Sequence, residues 1–212
     1  MGDDYRNTEY CPKLENIVKK KNAVVKMIKE NHPRAIDMHS YISKNDEPYK
    51  LAFLKVYNCK CAYCGISLSI IDKESFEIDH FIYEKSEQFH GSKAAAGYIE
   101  NLVPACHFCN HQKNSFQFQE EELKFFYPDA EDITNTFKRD ELYYIKVSEN
   151  FESNRTANEF YTQLKFGSEV RRIDYLLMSM IGLKDRISSD SEVHSKLGDI
   201  IELLRNKRNA MA

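Results

Sequence analysis

Cys61-Ala62-Tyr63-Cys64-Gly65, then Phe76-Glu77-Ile78-Asp79-His80-Phe81-Ile82, then Glu100-Asn101-Leu102-Val103-Pro104-Ala105-Cys106-His107-Phe108-Cys109-Asn110-His111-Gln112-Lys113 follow one another in the middle of the chain. Two Cys-x-x-Cys pairs thus bracket two short apolar runs, 76–82 and 99–105, both rich in the β-branched and aromatic residues that strands favour. Each two-residue gap lets both thiolates turn toward one ion, and four sulfurs close a tetrahedral zinc site with no open position. Cys61, Cys64, Cys106 and Cys109 are therefore expected to hold structural zinc, a better account of two matched pairs among six cysteines than four unconnected thiols. Cys59 lies two residues before Cys61 and Cys11 stands far from any paired thiol, so both are expected to be spare or buried. His107, between two ligands, is given no special role.

Zinc enclosed by four thiolates has no position for water, so any catalysis needs a second set of groups. Asp79 and His80 are neighbours on the expected strand, and successive side chains on a strand diverge, which would separate ion binding from proton transfer. Asn110 follows the second cysteine pair directly, in what should be the first turn of a helix, so ligation at Cys109 would fix its position.

CAYCG, FEIDHFI and ENLVPACHFCNHQK in this order resemble the HNH, or ββα-metal, nucleases in their zinc-bracketed form, over about Cys59 to Ser115. The resemblance implies a general base at His80, activating water for attack on a phosphodiester. It implies magnesium or manganese held by the oxygens of Asp79 and Asn110, and an orienting amide at Asn101 near His80. It also implies a phosphate contact at Lys113, three residues after Asn110. The expected products carry 5′-phosphate and 3′-hydroxyl ends. Tyr83 and Glu84 depart from the pattern, standing where a proline and a polar residue often follow the Asp-His strand. The competing function is a non-catalytic zinc-ribbon module that binds nucleic acid or protein.

The 212 residues suffice to bury a core without disulfides, and 42% hydrophobic with 30% charged residues is an ordinary globular composition. Nothing near the start has a basic then apolar leader pattern, and no apolar run approaches the roughly 18 residues of a membrane span. A soluble, cytoplasmic protein with no membrane partner is the expectation. The formal net charge of -3 is not that of a free-standing nucleic-acid binder, so attraction to a phosphate backbone should be local or supplied by a partner. Lys19, Lys20, Lys21, Lys26 and Lys29 could form such a patch, although a solvated helix face is the blander reading.

Apolar spacing predicts a helix from Leu14 to Glu30, ended near His32-Pro33, and another from Pro48 to about Tyr57. A loop is expected over 86–100, a strand over 142–149, and helices over Thr156 to Leu164, Val170 to Arg186 and Ser191 to Lys207. His32, His39, His90, His111 and His194 are expected to be ordinary polar surface, although His90 and His111 lie close enough in sequence to the site to touch substrate. The fold class is α+β: a ββα-metal core with structural zinc over 59–118, an N-terminal helical region over 1–58 and a mostly helical C-terminal region over 119–212. The C-terminal helices are vaguely similar to those of the HNH component of anti-phage defence systems of the Septu kind. That similarity implies an antiviral role with an ATPase partner subunit; the ordered set of Asp79, His80, Asn101 and Asn110 between the cysteine pairs makes an endonuclease acting on DNA rather than RNA the leading expectation.

Overall fold

The computed structural model describes residues 4–44 and 48–211; the remainder of the expected flanking regions lies outside the described residues. In chain order the elements are α1 (Ile17–Asn31), α2 (His39–Ile42), α3 (Pro48–Val56), β1 (Phe76–His80), α4 (Lys93–Ala96), β2 (Leu102–Cys106) and α5 (His107–Lys113). They continue with α6 (Leu123–Phe126), α7 (Ile133–Thr136), β3 (Phe137–Arg139), β4 (Ile145–Val147), α8 (Arg155–Gln163), α9 (Glu169–Lys184) and α10 (Glu192–Asn209).

β1 and β2 form an antiparallel pair with Phe76 opposite Cys106 and His80 opposite Leu102, and α5 begins directly where β2 ends. Pro104 lacks an N–H, but its carbonyl accepts from Ala62 N at 2.8 Å, which ties the first cysteine turn to β2. That turn closes with Gly65 N donating to Cys61 O at 3.0 Å. Gly65 sits at φ +80, and a Cβ there would come 2.6 Å from Arg6 O, so both the backbone conformation and the packing demand glycine.

The flanks close over this unit. Tyr5 donates to Tyr63 O, and Arg6, buried, donates to both Ala62 O and Pro128 O. One buried cluster runs from Tyr5 through Ile28, Phe53, Tyr63, Phe76 and Leu102 to Phe126, Phe160 and Phe166. Aromatic rings dominate its C-terminal half, with Phe160 in edge-on contact with Phe116, Phe118 and Phe126. A smaller cluster, Ile173, Leu177 and Ile201, holds α9 against α10.

Three differences from the sequence reading have physical causes. The loop over 86–100 carries a single helical turn, α4, capped by the Ser92 hydroxyl accepting from Ala95 N. The expected strand over 142–149 shortens to β4 and pairs with β3, because Tyr143 takes a left-handed conformation in the connecting turn. Lys21 leaves the basic patch: it is buried, with Nζ on Asp129 Oδ2 at 2.5 Å, so Lys19, Lys26 and Lys29 of those five are the exposed ones. Among the described residues, no helix is long and apolar enough to cross a membrane.

Candidate metal centre and active site

The four sulfurs of Cys61, Cys64, Cys106 and Cys109 lie within 4.8 Å of one another, and all four residues are buried. A buried guanidinium completes the cluster. Arg171, from α9, donates to Cys64 Sγ at 3.1 Å and to Cys109 Sγ at 3.0 Å. Burial works against its charge, but attraction to Cys109, Cys64, Cys106 and Cys61 outweighs this and holds Arg171 well above the usual arginine range. A buried guanidinium facing neutral thiols would lack a counter-charge, whereas zinc with four thiolates carries net negative charge, so the donor set fits that ion. Phe108 stacks on the same guanidinium, 4.6 Å from its ring centroid.

Alternation along β1 splits the remaining polar residues between two faces. Glu77 and Asp79 face α5. Asp79 is buried, with Oδ2 accepting from Tyr63 OH at 2.5 Å and standing 3.0 Å from Lys113 Nζ. Burial pushes the Asp79 carboxyl up, and Lys113 and Tyr63 oppose that rise. Lys113 is wholly buried and also donates to His80 O at 2.9 Å, so its ammonium braces the end of β1 instead of facing a phosphate. The sequence assigned Lys113 to substrate because it shares a helix face with Asn110, but that face looks at the strand.

His80 points to the other side, where its ring lies 4.4 Å from that of His39 on α2. His39 Nε2 in turn stands 3.2 Å from Ile78 O. Burial, then the neighbouring His39, lowers the His80 pKa to about 4. The imidazole is therefore neutral near pH 7 and free to accept a proton. Asn101 holds the segment that follows: its Oδ1 accepts from Ile82 N at 2.8 Å, and its Nδ2 donates to Ile82 O at 3.0 Å and Ala96 O at 2.9 Å. With every amide atom used on backbone, Asn101 fixes where His80 ends and the loop begins.

Asn110 is not placed against Asp79. Its Nδ2 donates to Glu77 Oε2, and Glu77 Oε1 stands 2.8 Å from His107 Nδ1. Partial burial raises the Glu77 pKa, but hydrogen bonds from Asn110 and His107 bring it below the usual carboxylate range. Sequence reasoning missed three residues here. Arg171 and His39 come from distant parts of the chain, with no local pattern to betray them. Glu77 had a signal, since the two-residue strand period puts it on the same face as Asp79.

With this geometry in hand, comparison with known proteins defines the class. Residues 61–116 match the HNH endonuclease family, so the cysteine-bracketed segment is an HNH endonuclease domain. Over 64 residues the chain is 36% identical to YoqL of Bacillus subtilis (strain 168), an SPbeta prophage-derived protein provisionally described as an HNH endonuclease. That match covers 30% of this chain and 27% of the relative. No solved structure matches the chain significantly.

Proposed function

We propose that the protein is an endonuclease that hydrolyses phosphodiester bonds, with DNA as substrate and His80 as general base. The observation that carries this reading is the neutral His80 imidazole on the outer face of β1, its backbone held by Lys113 from one side and its following loop by Asn101 from the other. His80 accepts a proton from water as that water attacks phosphorus in line with the departing oxygen; the P–O3′ bond breaks and the departing oxygen takes a proton from solvent water, leaving 5′-phosphate and 3′-hydroxyl ends. An approaching phosphate raises the His80 pKa from its low resting value, which strengthens the base where it is needed.

Asp79 and Lys113 act as positioning residues. Their ion pair, together with Tyr63, sets the strand end from which His80 projects. An open, mostly apolar cavity of about 470 Å³ lies beyond Phe81 and Ile82, lined by Phe89, Tyr98 and Tyr127 among others. Such rings suit stacking with an unpaired base.

Magnesium or manganese is the proposed catalytic ion, supplying charge stabilisation to the reacting phosphate. The oxygens that the resemblance assigns to it, Asp79 and Asn110, do not fit that task as arranged: Asp79 is engaged by Lys113 and Tyr63, and Asn110 by Glu77.

A role in anti-phage defence beside an ATPase subunit is the finer proposal, supported by the resemblance of the 158–183 segment, α8 and α9, alone. The outward residues Val193, Ile200 and Leu203 of α10 supply an apolar face on which a partner could seat. Plaque counts in cells carrying or lacking the protein, with co-purification of the subunit, test it.

The decisive experiment for the chemistry is cleavage of plasmid DNA and of RNA with magnesium, manganese or EDTA, beside His80→Ala. Metal-dependent nicking by the wild type that is abolished in His80→Ala is expected. Nicking that survives unchanged in His80→Ala sinks the assignment, and nucleic-acid binding without cleavage supports a zinc-ribbon module in its place.

A further inference from the structure

Glu77, His107 and His111 form a cluster of their own, beside the thiolates and on the opposite face of β1 from His80. His107 and His111 are four residues apart on α5, which puts them on one face, and their ring centroids lie 4.0 Å apart. Both turn a nitrogen toward the same carboxylate oxygen: His107 Nδ1 is 2.8 Å from Glu77 Oε1, and His111 Nε2 is 4.0 Å from it. One atom from each of the three residues lies within 4.8 Å of the others.

A lone carboxylate served by two imidazoles is over-supplied with nitrogen. His107 already makes the hydrogen bond, while His111 Nε2 is beyond hydrogen-bond reach yet aimed at the same oxygen. Two imidazole nitrogens and a carboxylate oxygen converging on one point are the donor set for a borderline divalent transition ion, with positions left open for water. Asn110 lies against the other Glu77 oxygen, so its amide can orient the carboxylate from outside the set.

We infer that Glu77, His107 and His111 form a second metal site, for a divalent transition ion such as nickel, cobalt or zinc, on the solvent side of β1 and α5. The site is placed independently of the cutting chemistry. Glu77 is three residues before His80, roughly 10 Å along an extended strand, and on its opposite face. Anchoring comes from the neighbouring zinc cluster, because Cys106 and Cys109 flank His107 and fix the start of α5. His107 and His111 side chains are 61% and 62% exposed, so an ion reaches them without opening the fold.

The test uses the full chain without a polyhistidine tag, carrying one zinc per molecule by elemental analysis. Titration with Ni²⁺ by calorimetry is expected to show one further equivalent bound. Binding is expected to weaken at least tenfold in His107→Ala/His111→Ala and in Glu77→Gln, with zinc content unchanged, and to persist in His80→Ala. His111→Ala alone, outside the cysteine pair, gives the same loss should the double variant disturb the zinc. The inference is overturned by a wild type that binds no second equivalent, or by one whose binding is untouched in Glu77→Gln and His111→Ala. Either result leaves the His80 assignment standing, since cleavage and Ni²⁺ binding are read separately.

Discussion

The ion pair between Asp79 and Lys113 shows how far a residue's role is set by what surrounds it. Both partners are buried, so removing one strands the other's charge in low dielectric. Lys113→Ala is expected to lower unfolding free energy by about 3–5 kcal/mol in urea denaturation, well beyond a surface lysine. A loss under about 1 kcal/mol would return Lys113 to the role of a phosphate contact. For His80 the sign of the pH dependence follows from its depressed pKa. The unfolded imidazole titrates near 6.5 and the folded one near 4, so the unfolded chain binds the extra proton first and stability falls as pH drops between those values. NMR titration should find the His80 ring neutral at pH 5.5, and a ring half-protonated near 6.5 would contradict the structure. His80, Asn101 and the cysteines could be picked out from sequence because their spacing is local. His39 and Arg171 could not be assigned roles that way, since each draws its meaning from a partner brought close only by folding, and for Glu77 the strand period gave the face but not the partners Asn110 and His107.

At the scale of elements, the long helices announced themselves: α1, α8, α9 and α10 each carry an apolar stripe at helical spacing, and their ends agree with the reading to within a few residues. The single turns α2, α4, α6 and α7 are too short for any period to show. Strand β3, Phe-Lys-Arg, has one apolar residue and so looked like part of an acidic coil; Phe137 anchors it edge-on against Phe166, and Arg139 adds a hydrogen bond to Tyr5 O. The element with the longest reach is α9, which delivers Arg171 to the thiolates. Replacing Arg171 by leucine is expected to preserve helix content but to speed zinc loss to a chromogenic chelator by at least roughly tenfold, since charged hydrogen bonds of this kind contribute about 1.5–3 kcal/mol each. An unchanged rate would mean that the guanidinium is a bystander.

For the molecule as a whole, the cysteine cluster is the meeting point of segments that are far apart in the chain. Tyr5 and Arg6 seat on the Cys61–Cys64 turn, Pro128 is tied to it through Arg6, and α9 reaches it from the C-terminal side. Zinc removal is therefore expected to unfold more than the 61–113 segment. Loss of helical circular dichroism and of protease resistance beyond that segment, together with cleavage that magnesium alone does not restore, would show it. Retention of α9 and α10 signal after complete chelation would show instead that the flanks fold on their own.

The contact between Arg171 and Cys64 spans 107 residues of chain. During synthesis the thiolates and His80 leave the ribosome long before α9 does, so the cluster must wait for its counter-charge until most of the polypeptide has emerged. The order of translation thus delays assembly of the finished centre, and a chain cut short ahead of residue 171 carries the motif's sequence without its electrostatic keystone.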